Sequence, residues 1–154
     1  MIRTLVTPLF VLLARLHLMR YHPRIIGVTG NVGKSSTKEA IGAVLSATQK
    51  VRVGKGNLNT ELGIAVNILG DWGDAYYESG GGPLFWLRVF LRGCVSLLWH
   101  PHYPKVLVLE YGADAPGNIQ ELVRSFPPQV SVVTAIGDIP VHVEFFDGNE
   151  HVAR

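Results

Sequence analysis

The stretch that decides the fold is Gly27-Val28-Thr29-Gly30-Asn31-Val32-Gly33-Lys34-Ser35-Ser36-Thr37. It follows a short apolar run, 24–26, and precedes a helix-like run, 38–45. A strand, a glycine-rich turn, Lys-Ser and a helix in that order are the layout of a phosphate-binding P-loop. Glycines let backbone N–H groups turn toward an anion, and the helix start adds unpaired N–H groups. The alternative is a glycine-rich turn in front of an ordinary capped helix.

The P-loop hypothesis assigns a role to each residue of the turn. Lys34 is expected to reach the outer phosphates of a nucleotide, and the Ser35 hydroxyl to bind Mg²⁺. The residues expected to hold the nucleotide are Thr29, Gly30, Asn31, Val32, Gly33, Lys34, Ser35 and Ser36. Because Val28 stands six residues before the lysine, the spacing fits G-x-[ST]-G-x-x-G-K-[ST]-[ST] rather than the general pattern.

Composition places the chain among globular domains. It has 154 residues, of which 47% are hydrophobic and 17% charged, enough for one domain with a real core. A net charge of +2, without a basic stripe interleaved with aromatic residues, gives no electrostatic case for nucleic acid. The single cysteine excludes an internal disulfide and fits a reducing compartment.

The chain after the P-loop alternates between helix and strand patterns. A short strand is predicted over 50–53, followed by a polar glycine-rich loop and a helix that Thr60 caps and that runs to about residue 69. Asn57 and Asn59 in that loop are either turn formers or groups near the phosphate site. The segment 71–82 is predicted to be irregular, with its three glycines as a flexible hinge.

A second apolar run has an acidic residue, Glu110, near its carboxyl end. Residues 106–112 predict a buried parallel strand, and Glu110 stands near its carboxyl end, where a P-loop fold holds its metal-linked carboxylate. The alternatives are a glutamate that caps a helix or pairs with a lysine, or Asp114 as the acid. A helix over 116–125 and a buried strand over 130–137 follow.

His142 comes shortly after the last predicted strand. It is either a metal or phosphate ligand or a structural histidine.

Two apolar helices are predicted outside this alternation, over 5–19 and 84–99. The first is shorter than the roughly 20 residues that a membrane-spanning helix needs. The second carries Arg88 and Arg92, four residues apart, on one face. Both helices either pack on the domain or make a peripheral contact with a membrane surface.

Four segments together make the sequence resemble the ATP-binding central domain of the Mur ligase family, the amide-forming enzymes of peptidoglycan synthesis. They are 27–39, 56–63, 109–119, and 133–137 with 142–146. Their order matches the family, and the second has the form typical of the branch that adds D-alanyl-D-alanine. The resemblance implies an α/β fold, with a P-loop-type, mostly parallel sheet and helices on both faces.

The resemblance also implies a mechanism, in which ATP phosphorylates a carboxylate and an amine then displaces phosphate. It makes Lys34, Glu110 and His142 the catalytic residues. Ser35 and Glu110 would bind one Mg²⁺, and His142 would help to bind a second. The substrate side would include Asn57, Asn59 and Thr60. The implied substrates are a UDP-muramoyl peptide and a D-amino-acid dipeptide, in the cytoplasm or at the inner face of the membrane.

The expected organisation is an N-terminal helix over 1–23 and the N-terminal part of the central domain over 24–154, with an insertion-like segment at 71–104. The family's later elements do not follow within the sequence, and Arg154 falls in a helix-like run, so we expect a fragment. Two alternatives stay open. One is an amide ligase for another carboxylate, of the poly-glutamate or folyl-polyglutamate type; the other is a non-catalytic, membrane-associated nucleotide-binding module.

Overall fold

The computed structural model describes residues 2–56, 58–112 and 115–135, with side chains from residue 6 onward. These residues form a four-stranded parallel sheet with helices on both faces, so the predicted α/β class is confirmed. The predictions that concern Asn57, Asp114, His142 and the run 149–154 lie outside the described residues.

The described elements alternate between helix and strand around one sheet. They are α1 (Ile2–Tyr21), β1 (Arg24–Thr29), α2 (Lys34–Ser46), β2 (Val51–Val53), α3 (Glu61–Leu69), α4 (Gly73–Ser79), α5 (Pro83–Leu98), β3 (Val106–Glu110), α6 (Asn118–Ser125) and β4 (Val130–Val133).

The sheet has the order β2-β3-β1-β4, and every neighbouring pair is parallel. All five residues of β3 are buried, as expected of an apolar strand that helices cover on both faces. The register sets Val28 beside Glu110 and Thr29 beside Val133. The carboxyl ends of β1, β3 and β4 therefore meet at one edge of the sheet.

The two faces carry separate cores. Val106 and Val108 pack with Val28 on the face that α2 covers, whereas Leu107 and Leu109 belong to the core on the other face, with α1, α3, α5 and α6. Right-handed crossovers explain this division. The connection from β1 to β2 crosses the sheet in one direction, and the connections from β2 to β3 and from β3 to β4 cross it in the other. With the same hand, the helices of the first connection therefore lie on one face and those of the other two on the opposite face.

Helix α1 is packed into the larger core. The Phe10 side chain is buried, and its ring lies 5.4 Å from that of Trp86 and 6.4 Å from that of Phe90. Buried His17 lies 2.9 Å from the Leu13 carbonyl through Nδ1 and 2.7 Å from the Ser96 hydroxyl through Nε2. In the described part of the chain, no helix combines the length and apolarity needed to span a bilayer.

The segment 71–82 contains a helix, so the prediction that it is irregular was wrong. Helix α4 is held by tertiary contacts, because its Tyr76 ring packs against the rings of Phe85 and Trp86, with 5.7 and 6.1 Å between ring centres. The glycines after it form a tight turn rather than a free hinge. The Gly81 carbonyl accepts a hydrogen bond of 2.7 Å from Trp86 Nε1.

Strand β4 is also less buried than its sequence predicts. Val130 and Val133 are both more than half exposed. Among the described residues β4 pairs only with β1, so it forms an edge of the sheet. An apolar sequence alone does not distinguish such an edge strand from a central one.

Candidate functional site

The P-loop lies at the carboxyl edge of the sheet, between the end of β1 and the start of α2. Gly30 and Gly33 both have positive φ, 129° and 83°, which side chains other than glycine rarely adopt. At Gly30 a Cβ would also collide with the Thr134 hydroxyl. Gly33 is the N-cap residue of α2. The loop therefore needs glycine at both positions to turn from strand to helix.

The end of β4 holds this loop in place. Thr134 donates its backbone N–H to the Thr29 carbonyl at 2.8 Å, and the Ala135 carbonyl accepts from the backbone N–H groups of Asn31 and Val32 at 3.0 and 3.3 Å. The amides still available for an anion are thus those at the start of α2. The side-chain nitrogen of Asn31 is buried and has no hydrogen-bond partner among the described residues. A phosphate oxygen beside the loop would satisfy it.

Lys34 folds back over the loop. Its ammonium donates to the Gly30 carbonyl at 2.9 Å and lies 3.5 Å from the Asn31 carbonyl. It forms no ion pair with the carboxylates of the described residues. Its charge therefore meets only backbone carbonyls within the described residues, at the place where a P-loop lysine contacts phosphate.

Ser35 and Glu110 lie together, although they come from different parts of the chain. The Ser35 hydroxyl donates to Glu110 Oε2 at 2.9 Å. The parallel register explains the contact, because Glu110 ends β3 next to the strand that leads into the P-loop. The carboxylate is buried, with only 5% of its surface exposed.

Lys38 is a site residue that the sequence analysis missed. Its side chain is 2% exposed, and its ammonium lies 3.9 Å from Glu110 Oε2. Position 38 lies on the same helix face as Lys34, one turn later, but the sequence does not show that this lysine meets Glu110. A buried carboxylate is stable only with such a partner or with hydrogen bonds.

The oxygen donors at this point fit a magnesium ion. A hydroxyl and a carboxylate are ligands that Mg²⁺ accepts, and it usually takes only one or two from protein, with water and phosphate oxygens completing its shell. Ser35 and Glu110 would be those two ligands. The described residues contain no group of three or more His, Cys, Asp or Glu side chains that could hold a metal by themselves.

The loop after β2 reaches the same edge of the sheet. The Asn59 carbonyl accepts from the Gly112 backbone N–H at 3.0 Å, two residues beyond Glu110. Buried Asn67 supports the loop, since its side chain contacts the Leu58 carbonyl and the Lys55 backbone N–H, both at 3.3 Å. Asn59 thus lies at the same edge of the sheet as the end of β3.

Thr60 caps α3, as the sequence predicts. Its hydroxyl accepts from the Gly63 backbone N–H at 3.3 Å. That hydroxyl is therefore engaged in the helix cap.

The strand ends are locked by a further buried contact. The Thr29 hydroxyl donates to the Tyr111 carbonyl at 3.0 Å, and the Tyr111 hydroxyl donates to the Phe126 carbonyl at 2.6 Å. Burial raises the pKa of Tyr111 above its ordinary value, so the phenol remains a hydrogen-bond donor at neutral pH. The Tyr111 ring also requires glycine at position 27, where a Cβ would approach it to 2.9 Å.

The fold and this edge define the class of protein. A glycine loop between a strand and a helix, with a lysine over the loop and a serine against the acid of the adjacent parallel strand, is a P-loop-type α/β domain.

Comparisons with known proteins narrow this class. No protein-family model matches the chain. Among curated proteins, it is 29% identical over 142 residues to the UDP-N-acetylmuramoyl-tripeptide--D-alanyl-D-alanine ligase of Bacillus subtilis, covering 92% of this chain and 24% of that protein. It is 31% identical over 130 residues to the ligase of the same name from Mycobacterium bovis, covering 84% of this chain and 19% of the other.

A solved structure gives the same result. The chain matches the crystal structure of MurF ligase from Thermotoga maritima in complex with ADP, with a TM-score of 0.69 and 29% identity, over 96% of this chain and 27% of that one. The chain is thus similar, in sequence and in fold, to one part of the D-alanyl-D-alanine-adding Mur ligases. It spans about a quarter of the length of these relatives, or less.

Proposed function

We propose that this chain supplies the ATP-binding part of an amide ligase in peptidoglycan precursor synthesis, which joins D-alanyl-D-alanine to a UDP-muramoyl tripeptide. The observation that carries the proposal is the hydrogen bond between Ser35 and Glu110, next to the loop over which the Lys34 ammonium lies. This arrangement suits the phosphates of a nucleotide and one Mg²⁺. The similarity to ligases of that name supports the choice of reaction.

The proposed reaction has two steps. The γ-phosphoryl group of ATP is transferred to a substrate carboxylate, giving ADP and an acyl phosphate. The amine of the dipeptide then attacks the acyl carbon, forms the amide bond and releases inorganic phosphate. Lys34 and the N–H groups at the start of α2 would hold the phosphates. Their positive charge would stabilise the negative charge of the phosphoryl group during its transfer. Mg²⁺ would neutralise further phosphate charge.

The remaining assignments are part of the same proposal. Asn59, with Asn57 and Thr60, would face the substrate carboxylate, and His142 would contribute to a second metal. Residues 24–154 would be the N-terminal part of the ligase central domain, α1 would precede it, and 71–104 would be an insertion. Since ATP and UDP-linked precursors are cytoplasmic compounds, the protein would act in the cytoplasm.

The test of nucleotide binding is a titration of the full chain with a fluorescent ATP analogue and Mg²⁺. Lys34→Ala should weaken binding roughly 10- to 100-fold, which corresponds to the 1.5–3 kcal/mol of a hydrogen bond to a charged group. Lys50→Ala is the matched control, since Lys50 is an exposed lysine just before β2. Unchanged affinity in the Lys34 variant would exclude the P-loop assignment.

The test of the reaction is phosphate release that requires MgATP, the UDP-muramoyl tripeptide and D-alanyl-D-alanine together. Product formation supports the ligase. Tight MgATP binding with no amide product, from this chain or from a longer protein that contains it, would instead favour the nucleotide-binding module. The exposed leucines of α1 and α5 support this second candidate, because a membrane-associated module would place such side chains against the membrane.

A further inference from the structure

Helices α1 and α5 pack against each other and still expose apolar side chains on their outer sides. On α5, Leu84, Leu87, Leu91, Val95 and Leu98 recur at helical spacing, and each is more than half exposed. On α1 the corresponding stripe is Leu9, Leu12, Leu16 and Met19. Together these nine residues form what we term the leucine surface. Apolar patches of this kind mark interaction sites rather than ordinary surface.

The charges of the same two helices are all positive. Their sequences contain five arginines and no acidic residue, whereas the rest of the chain carries nine basic and all twelve acidic side chains. A helix with an apolar side, arginines and no acidic residue is suited to an anionic lipid surface. A second copy of this chain would bring no acidic residue on these two helices to pair with their arginines.

A cationic cleft borders the leucine surface. It has a volume of about 470 Å³ and lies between α5 and the segment that follows α3. Its charged lining is Arg52, Arg88, Arg92 and Asp71. His100 also lines it, but burial lowers the pKa of this imidazole, so it adds no positive charge at neutral pH. Val95 belongs both to the cleft and to the leucine surface.

The positive charge of the cleft is not cancelled within the described residues. Arg52 donates to the carbonyls of Asn67 and Ile68, at 3.2 and 2.7 Å, and not to a carboxylate. Asp71 is the single acidic residue in the lining, and it already lies 3.3 Å from the ammonium of Lys55. The cleft is therefore suited to an anion such as a phosphate diester.

Tryptophan is placed where a lipid interface would need it. Trp99 directly follows α5, lines the cleft and is 77% exposed. Trp72 lines the other side, with the Arg88 guanidinium 5.9 Å from its ring centre. Aromatic rings with a polar edge favour the boundary between headgroups and acyl chains.

From these observations we infer that the leucine surface and the arginine cleft together dock the protein on a bilayer that contains anionic phospholipid. The leucines enter the acyl boundary, and the cleft binds a headgroup phosphate. None of these residues belongs to the P-loop, so the inference goes beyond the proposed function. Nucleotide binding should therefore continue on the membrane.

The experiment is flotation of the full chain with vesicles made of equal parts phosphatidylglycerol and phosphatidylcholine, compared with pure phosphatidylcholine. Binding is expected to the anionic vesicles and to weaken as salt rises. The double variant Arg88→Ala/Arg92→Ala should lower the partition coefficient about 30-fold, at ~1 kcal/mol for each arginine. Arg88→Lys/Arg92→Lys keeps the charge and should retain most of the binding.

A second pair of variants tests the leucine surface. Leu91→Glu should abolish binding to the vesicles, whereas Val44→Glu should not, because Val44 is an exposed apolar residue on α2, across the sheet from the leucine surface. Both variants should keep their circular dichroism and their affinity for MgATP. If the unmodified chain does not bind MgATP, that result counts against the proposed function and not against docking.

Two results would overturn the inference. The first is no binding to anionic vesicles. In that case, a dimer in sedimentation that Leu91→Glu dissociates would assign the surface to a second copy, and binding of soluble glycerol phosphate would assign the cleft to a free phosphate. The second is vesicle binding that the arginine and leucine variants leave unchanged.

Discussion

The buried ion pair beside the P-loop gives the sharpest test of this structure. Replacing Lys38 with methionine keeps much of the side-chain volume but removes the charge that lies 3.9 Å from Glu110 Oε2. At that distance two opposite charges attract by about 4 kcal/mol for an effective dielectric constant of 20. Removing one partner of a buried pair typically costs about 3–5 kcal/mol. The hydrogen bond from Ser35 remains, so we expect a loss of about 3 kcal/mol in the free energy of unfolding.

The assay is urea denaturation at neutral pH, followed by tryptophan fluorescence and circular dichroism. The control is Glu39→Gln, because Glu39 lies 3.7 Å from the same ammonium but is 63% exposed, and an exposed pair contributes at most about 1 kcal/mol. The double variant Lys38→Met/Glu110→Gln should lose less than the sum of the two single losses, by about 1–3 kcal/mol. Full stability in Lys38→Met, or additive losses in the double variant, would refute the pairing.

Two further predictions concern α1. Phe10→Ala should lower the free energy of unfolding by about 3–5 kcal/mol, because it removes a fully buried ring and leaves a cavity. Leu12→Ala, on the exposed side of α1, should change that free energy by less than about 0.5 kcal/mol. Equal urea midpoints for the two variants would contradict the packing of α1. Burial lowers the pKa of His17, so the unfolded chain takes up a proton before the folded chain does, and stability should fall as the pH drops below about 6.5. His17→Gln should make that fall shallower below about pH 6.5, and an identical slope would show that His17 is not the group responsible.

The parts of the site that the sequence predicts correctly depend on residues that are contiguous in the chain. The P-loop is recognisable because the positive φ of Gly30 and Gly33 requires a residue without a side chain at those two positions. Strand β3 is recognisable because an apolar run that ends in Glu110 suits a strand buried on both faces. The cap at Thr60 depends on a hydroxyl only three residues from its partner.

Other features required the tertiary structure, because each depends on residues far apart in the sequence. Helix α4 has weak local signals and is stabilised by the packing of Tyr76 against Phe85 and Trp86 of α5. Lys38 is an ordinary helix residue by sequence, and only the parallel register that brings Glu110 to the P-loop makes it a buried partner of that acid.

The sequence by itself determined the glycine-rich turn of the P-loop type and the parallel α/β plan, since backbone conformation and strand burial are encoded locally. It determined that two helices are apolar, but not which of their sides would be covered. Tertiary packing decided that, because Phe10 enters the core whereas Leu91 on α5 remains at the surface. The arginine cleft likewise exists only in the folded chain, because Arg52 and Arg92 come together only when α5 packs over the end of α3.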